Sequence, residues 1–258
     1  MVLKEDFYYP PADSGRMLHI WLPDDYETSG ASYPVMYFFD GHNLYDDRDA
    51  TFGKSWGFVP YLRGWDRDLI MIGMECSHEG NARLFEYMPY QRETGFFSEA
   101  PCLGDATFRW ILEEIKPWAD KRFRTLPDRA HTGIGGSSMG GLMALYGGSH
   151  YNASFSRAAC VSPSIPFCLP SVLKDLDQAE ILPDSRFFLS FGSREAGGAS
   201  DPEREDKRTY TYRCVRAAEN RLKKKGASAW LYCQEGGGHC EADWEKQIPL
   251  FMPWLWQD

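Results

Sequence analysis

RAHTGIGGSSMGGLMALYGG, residues 129–148, decides how the chain is read. Ala130 to Ile134 form a short apolar segment, the pattern of a buried strand. Leu142, Met143, Ala144, Leu145 and Tyr146 follow as good helix formers with an apolar face. Between them lies Gly136-Ser137-Ser138-Met139-Gly140, a G-x-S-x-G match. A strand that turns at once into a helix forces its turn residue into a strained conformation and demands small neighbours two positions either side. Gly136 and Gly140 meet that demand around Ser138, whereas the rival hydroxyl, Ser137, lacks glycine at both flanking offsets. Ser138 is therefore the candidate nucleophile. The next amide, Met139 N–H, would sit at a helix N-terminus and donate to a developing oxyanion.

Working outward, the chain reads as strands alternating with helices. Residues 16–22, RMLHIWL, read as an early strand, and PVMYFFD from Pro34 to Asp40 as a buried central one. Residues 68–75 form the next apolar run, and a long loop over 76–104 carries Arg83, Glu86 and Tyr87. The spacing of Phe108, Ile111, Leu112 and Ile115 predicts a helix over 105–123, kinked at Pro117. Further strands are expected over 155–162, 186–192 and 229–234, with helices over 207–225 and 241–256. Residues 165–184 carry three prolines and suit a small cap segment. With no repeat and no linker, residues 1–258 read as a single α/β domain: an α/β-hydrolase fold with a mostly parallel central sheet and helices on both faces.

Composition bounds the partners. The 258 residues carry a net charge of −9, which argues against nucleic acid and anionic membranes. The Lys223-Lys224-Lys225 run ends a predicted helix, where cations favour the macrodipole. Seven cysteines form no C-x-x-C pair, which points to a reducing compartment. The N-terminus has no apolar signal segment, so a cytoplasmic location is expected. No cofactor is expected, since the chain has neither a G-x-G-x-x-G after a strand nor a Walker loop. No metal is expected either: H-E-x-x-H is missing and no Cys/His cluster shows ligand spacing.

A serine nucleophile needs a base, and the base needs an orienting acid. Downstream of Ser138 the only histidines are His150 and His239. His150 falls at the far end of the elbow helix. His239 follows the last strand within a triple-glycine loop and is the expected base. Glu195, just past the preceding strand, is the expected acid, while Asp201, Glu203, Glu205 and Asp206 compete. The second oxyanion donor is expected from Gly41 or His42, in the loop after PVMYFFD. Trp56, Phe85, Tyr87 and Trp244 are candidates to line an acyl or aromatic pocket, or to be core.

Several segments together carry a family resemblance: YPVMYFFDGHNLY (33–45), SWG (55–57), RLFEYMP (83–89), GIGGSSMGGLMALYGG (133–148), VSPS (161–164) and GGHCEADW (237–244). They resemble the esterase group of α/β-hydrolases that includes esterase D, enterochelin esterase and the feruloyl and acetyl xylan esterases of carbohydrate esterase family 1. The resemblance implies Ser138 as nucleophile, His239 as base, and Met139 with the Asp40-Gly41 loop as oxyanion hole. Many members carry Asp where this chain has Glu195, and His42 replaces the more usual Gln. It implies a serine carboxylic-ester hydrolase acting on a small soluble ester, short-chain acyl, acetyl or feruloyl and in some cases sugar-linked. Acyl transfer by the same triad and siderophore trilactone hydrolysis are the alternatives. A homodimer is compatible with the group.

Overall fold

The computed structural model describes residues 1–195 and 209–257. It divides into two compact units, Met1–Gly133 and Ile134–Asp258. The fold is α/β with a mostly parallel sheet.

The first unit opens with an antiparallel hairpin, β1 (Val2–Tyr9) and β2 (Ser14–Trp21), in the register Val2↔Trp21 to Tyr9↔Ser14. β1 leaves Lys4, Asp6 and Tyr8 exposed, the alternation of a strand with one solvated face. After a short α1 (Tyr26–Ser29) comes β3 (Val35–Phe39), buried at every position. A helix, α2 (Phe58–Gly64), leads to β4 (Ile70–Met74), also buried throughout and parallel to β3. β2 joins the other edge of β4 in antiparallel fashion. The expected strand over 68–75 is shorter at both ends, although Glu75 N–H still donates to Met17 O of β2 at 3.0 Å.

The loop expected over 76–104 is partly structured. It holds α3 (Ala82–Glu86) and a 3-10 turn, Phe96–Ser98. The helix expected over 105–123 runs as α4 (Gly104–Trp110), a π turn (Ile111–Ile115) and α5 (Lys116–Arg122). Pro117 has no N–H to give the preceding turn and its ring crowds the carbonyl four residues back. The chain answers with one wider turn, and the helix continues.

In the second unit the elbow strand, β5 (Thr132–Ser137), begins two residues before the unit boundary. It starts later and ends later than its apolar residues suggest. Ala130 and His131 belong to a 3-10 turn, and the glycines after Ile134 continue the strand up to Ser138. The helix that follows, α6 (Met139–His150), is buried around nearly its whole circumference. β6 (Arg157–Val161), β7 (Arg186–Gly192) and β8 (Ser228–Gln234) pair in parallel.

Residues 165–184 contain a 3-10 turn and α7 (Leu169–Gln178). Val172 and Leu176, one turn apart, are its buried face, directed at α6 and at α8 (Tyr210–Lys224). Thr209 caps α8 by accepting from Tyr212 N–H at 3.3 Å. The helix expected over 241–256 is broken: α9 (Glu241–Trp244), a 3-10 turn (Glu245–Gln247), then α10 (Ile248–Trp256). Pro249 sits at the start of α10, where a missing N–H costs nothing. Among the described residues no helix is long and apolar enough to cross a membrane.

Candidate active site

Ser138 sits at the join of β5 and α6 with φ 58° and ψ −121°, a conformation that side-chain-bearing residues rarely adopt. The elbow is held from both sides: Ser138 N–H donates to Val161 O, and Ser138 O accepts from Ser164 N–H, each at 3.0 Å. A Cβ on Gly136 would lie 2.6 Å from the backbone of Gly140, so the two glycines are required by close approach. Ser138 is half-buried, and its Oγ lies 3.4 Å from Ser164 Oγ. Met139 N–H is the first amide of a 12-residue helix, which has no acceptor one turn earlier within the helix.

The carboxyl ends of β7 and β8 are laced together. Ser193 N–H donates to Gln234 O at 2.9 Å, Arg194 N–H to Gly237 O at 3.0 Å, and Gly236 N–H to Ser193 Oγ at 2.8 Å. A Cβ on Gly192 would meet Gly237 O at 2.3 Å, so this contact is backbone against backbone. Glu195 and His239 leave these two strand ends and meet: His239 Nδ1 lies 3.1 Å from Glu195 Oε2. The carboxylate is 6% exposed and the imidazole 44%, so the pair has a buried anchor and an accessible outer edge. With the carboxylate accepting, Nδ1 carries the proton and Nε2 presents its lone pair.

Glu195 is itself clamped. Its Oε1 accepts from Ser162 Oγ–H at 2.6 Å and from Gly192 N–H at 2.7 Å. Trp244 Nε1–H donates to Ser162 Oγ at 3.1 Å, and the Trp244 ring meets the His239 ring edge-on at 5.0 Å. Asp243 Oδ2 accepts from Gly238 N–H at 2.7 Å, tying down the residue before the histidine. A hydrogen bond from Lys246, reinforced by the Gly238 amide, lowers the Asp243 pKa below the ordinary aspartate value. Sequence reasoning assigned no role to Ser162. The signal was the VSPS segment, in which Ser162 adopts φ 44°. Trp244 was a pocket candidate and is buried beside the histidine. Asp201, Glu203, Glu205 and Asp206 lie outside the described residues. His150 sits at the last turn of α6, with Nδ1 3.2 Å from Asp175 Oδ1.

The remaining candidates belong to the first unit. Gly41 and His42 form a 3-10 turn directly after β3, entered through Asp40 at φ 60°. Arg83 holds Asp40 bidentately, Nε to Oδ1 at 2.7 Å and Nη2 to Oδ2 at 2.6 Å. Burial pushes the Asp40 carboxyl up, but the guanidinium outweighs it and the pKa ends below the ordinary value. His42 is buried, its Nε2 2.9 Å from Thr51 Oγ1; burial lowers its pKa to about 4, so the ring is neutral at pH 7. Trp56 and Tyr87 are buried, Trp56 stacked on Phe58 and Tyr87 accepting from Asp40 N–H at 3.3 Å. Phe85 meets Phe96 and Phe97 at ring distances of 5.1 and 5.7 Å. Two groups in this unit have metal-ligand chemistry, Asp40–His42–Cys76 and His42–Glu75–His78.

A serine on a strained strand–helix turn, in a mostly parallel sheet, with a histidine and a carboxylate at neighbouring strand ends, defines an α/β hydrolase. The Esterase family model, described as "Putative esterase", matches residues 13–253. The chain belongs to that family and is a carboxylic ester hydrolase. It is 21% identical over 247 residues to the uncharacterized protein YbbA of Bacillus subtilis, covering 93% of this chain and 92% of that one. It is 27% identical over 152 residues to Esterase Rv1288 of Mycobacterium tuberculosis, covering 55% of this chain and 28% of that protein. Among solved structures, the enterobactin esterase FES from Shigella flexneri superposes with TM-score 0.74 at 17% identity, covering 100% of this chain and 59% of that one. A ferulic acid esterase superposes with TM-score 0.66 at 14% identity, covering 99% and 97%.

Proposed function

We propose that the chain is a serine esterase that works through Ser138, His239 and Glu195 and a covalent acyl-enzyme, on a small soluble ester. The observation that carries this reading is the 3.1 Å contact between His239 Nδ1 and a Glu195 carboxylate clamped by Ser162 and Gly192. That arrangement leaves Nε2 of an accessible imidazole as a base, in the same unit as a serine held in elbow geometry.

In the reaction, Ser138 Oγ exchanges Ser164 for the imidazole and gives its proton to His239 Nε2 as it attacks the ester carbon. The carbonyl π pair moves to oxygen, and Met139 N–H donates to that oxyanion. Collapse breaks the bond to the leaving alkoxide, which takes the proton from the imidazolium and departs as an alcohol. Water then repeats the sequence on the acyl-serine. It loses a proton to His239, expels Ser138 Oγ and releases a carboxylic acid. Glu195 stabilises the imidazolium in both halves.

The test is a panel of p-nitrophenyl acetate, butyrate and octanoate, methyl ferulate, acetylated xylo-oligosaccharide and a trilactone siderophore, each beside Ser138→Ala. Turnover of one ester class that disappears in the variant, with unchanged circular dichroism, is expected. Equal turnover by Ser138→Ala would overturn the mechanism. Turnover of the trilactone alone would replace the small-ester reading with a siderophore one, the activity named in the FES structure.

A further inference from the structure

The first unit contains a ligand set of side chains that take no step in the proposed ester hydrolysis. β4 ends at Met74, and the next residues, Glu75-Cys76-Ser77-His78, place a carboxylate and an imidazole three apart. His42 reaches the same point from the turn after β3. One donor atom from each of His42, Glu75 and His78 lies within 4.8 Å of the other two. We propose that these three residues bind a zinc-type divalent transition metal ion in a His₂Glu set.

Three observations support it. First, His42 is 4% exposed, and its Nδ1 has no hydrogen-bond partner among the described residues, although a buried ring nitrogen without a partner is costly. Its Nε2 lies 2.9 Å from Thr51 Oγ1; with Nε2–H donating to that hydroxyl, the ring is oriented and the Nδ1 lone pair is left for a cation. Second, Glu75 Oε2 and His78 Nε2 are 3.5 Å apart. A tetrahedral ion with bonds of about 2.1 Å separates its ligands by about 3.4 Å. The His42 and His78 rings meet edge to face, 4.5 Å apart at 70°. Third, the carboxylate has an outer partner. His19, 2% exposed, sits with Nε2 2.6 Å from Glu75 Oε1, the kind of support that metal-binding carboxylates receive.

The donor set selects the ion. Two imidazole nitrogens and one carboxylate suit zinc, cobalt or nickel, whereas calcium and magnesium need more oxygen ligands. His78 is 54% exposed, which provides an entry path and leaves a fourth position for water. The neighbouring Asp40–His42–Cys76 group is a poorer choice, because Arg83 already neutralises Asp40.

The experiment is calorimetric titration of Zn²⁺ into chelator-treated full-length protein, with Co²⁺ absorption as the report of tetrahedral nitrogen ligation. One Zn²⁺ per chain is expected, unaffected by excess Ca²⁺ or Mg²⁺. His78→Ala removes an exposed side chain and is expected to weaken binding by more than roughly 100-fold, since even outer partners are worth roughly 10–100-fold. Glu75→Gln provides a second, nearly isosteric loss. His239→Gln is expected to bind as wild type does, which separates this site from the Glu195–His239–Asp243 neighbourhood. No Zn²⁺ binding, or equal affinity in His78→Ala, would overturn the proposal. The readout is binding, so its failure leaves the esterase reading untouched.

Discussion

Ser138 and Ser162, the hydroxyl that donates to Glu195, both carry backbone strain, with φ of 58° and 44°. Strain at such positions persists only where the surroundings over-determine it. Ser162 is held by Glu195 on one side and by Trp244 on the other. Removing its hydroxyl leaves Glu195 with one fewer donor. A hydrogen bond to a charged group is worth about 1.5–3 kcal/mol, so Ser162→Ala is expected to lower kcat roughly 10- to 100-fold with little change in KM. Steady-state kinetics on whichever ester the panel selects will measure this. A variant with wild-type kcat would mean that Gly192 N–H alone suffices to position Glu195.

At the scale of elements, the position of His239 depends on a loop stitched between two parallel strands. Asp243, at the start of the broken C-terminal helix, fastens that loop through Gly238 N–H. Its pKa is lowered in the folded protein, so its contribution is present above the ordinary aspartate range. It is lost as pH falls through the depressed folded value, because the unfolded chain binds the proton first. The difference in melting temperature between wild type and Asp243→Ala is expected to be full at neutral pH and to shrink on acidification. Differential scanning calorimetry over a pH series will measure it, and a difference that grows toward acid pH would contradict the assignment. The π turn before Pro117 is the same kind of local event: the proline was readable, but the form of the accommodation was not, because it depends on what the helix packs against.

At the scale of the whole molecule, each compact unit buries charge. In the first unit, Arg16 and Glu86 form an ion pair at 8% and 5% exposure, and Glu86 Oε2 also accepts from Ser77 N–H at 3.0 Å. Breaking a buried pair strands the remaining charge at a cost of about 3–5 kcal/mol. Glu86→Ala is therefore expected to lower the denaturant midpoint of the folded chain, and Arg16→Met with Glu86→Leu to recover much of that loss. Equilibrium unfolding in guanidinium will read both. If Glu86→Ala unfolds at the wild-type midpoint, the pair contributes nothing to stability.

The alternation of strands and helices, the elbow at Ser138, the histidine after the last strand and the acidic residue after β7 were all legible in the sequence. Each is written in a few consecutive residues: a run of apolar side chains, glycines two positions from a serine, a glycine cluster at a strand end. Local sterics and hydrophobic periodicity act over that range. What only the tertiary structure decided are the meetings between distant positions. Ser162 reaches Glu195 across 33 residues, Trp244 reaches Ser162 across 82, and Arg16 reaches Glu86 across 70. His42 comes to Glu75 and His78 only because β3 and β4 lie side by side in parallel register. Such contacts leave no period in the chain, because they are set by which strands pair and how their ends are laced together.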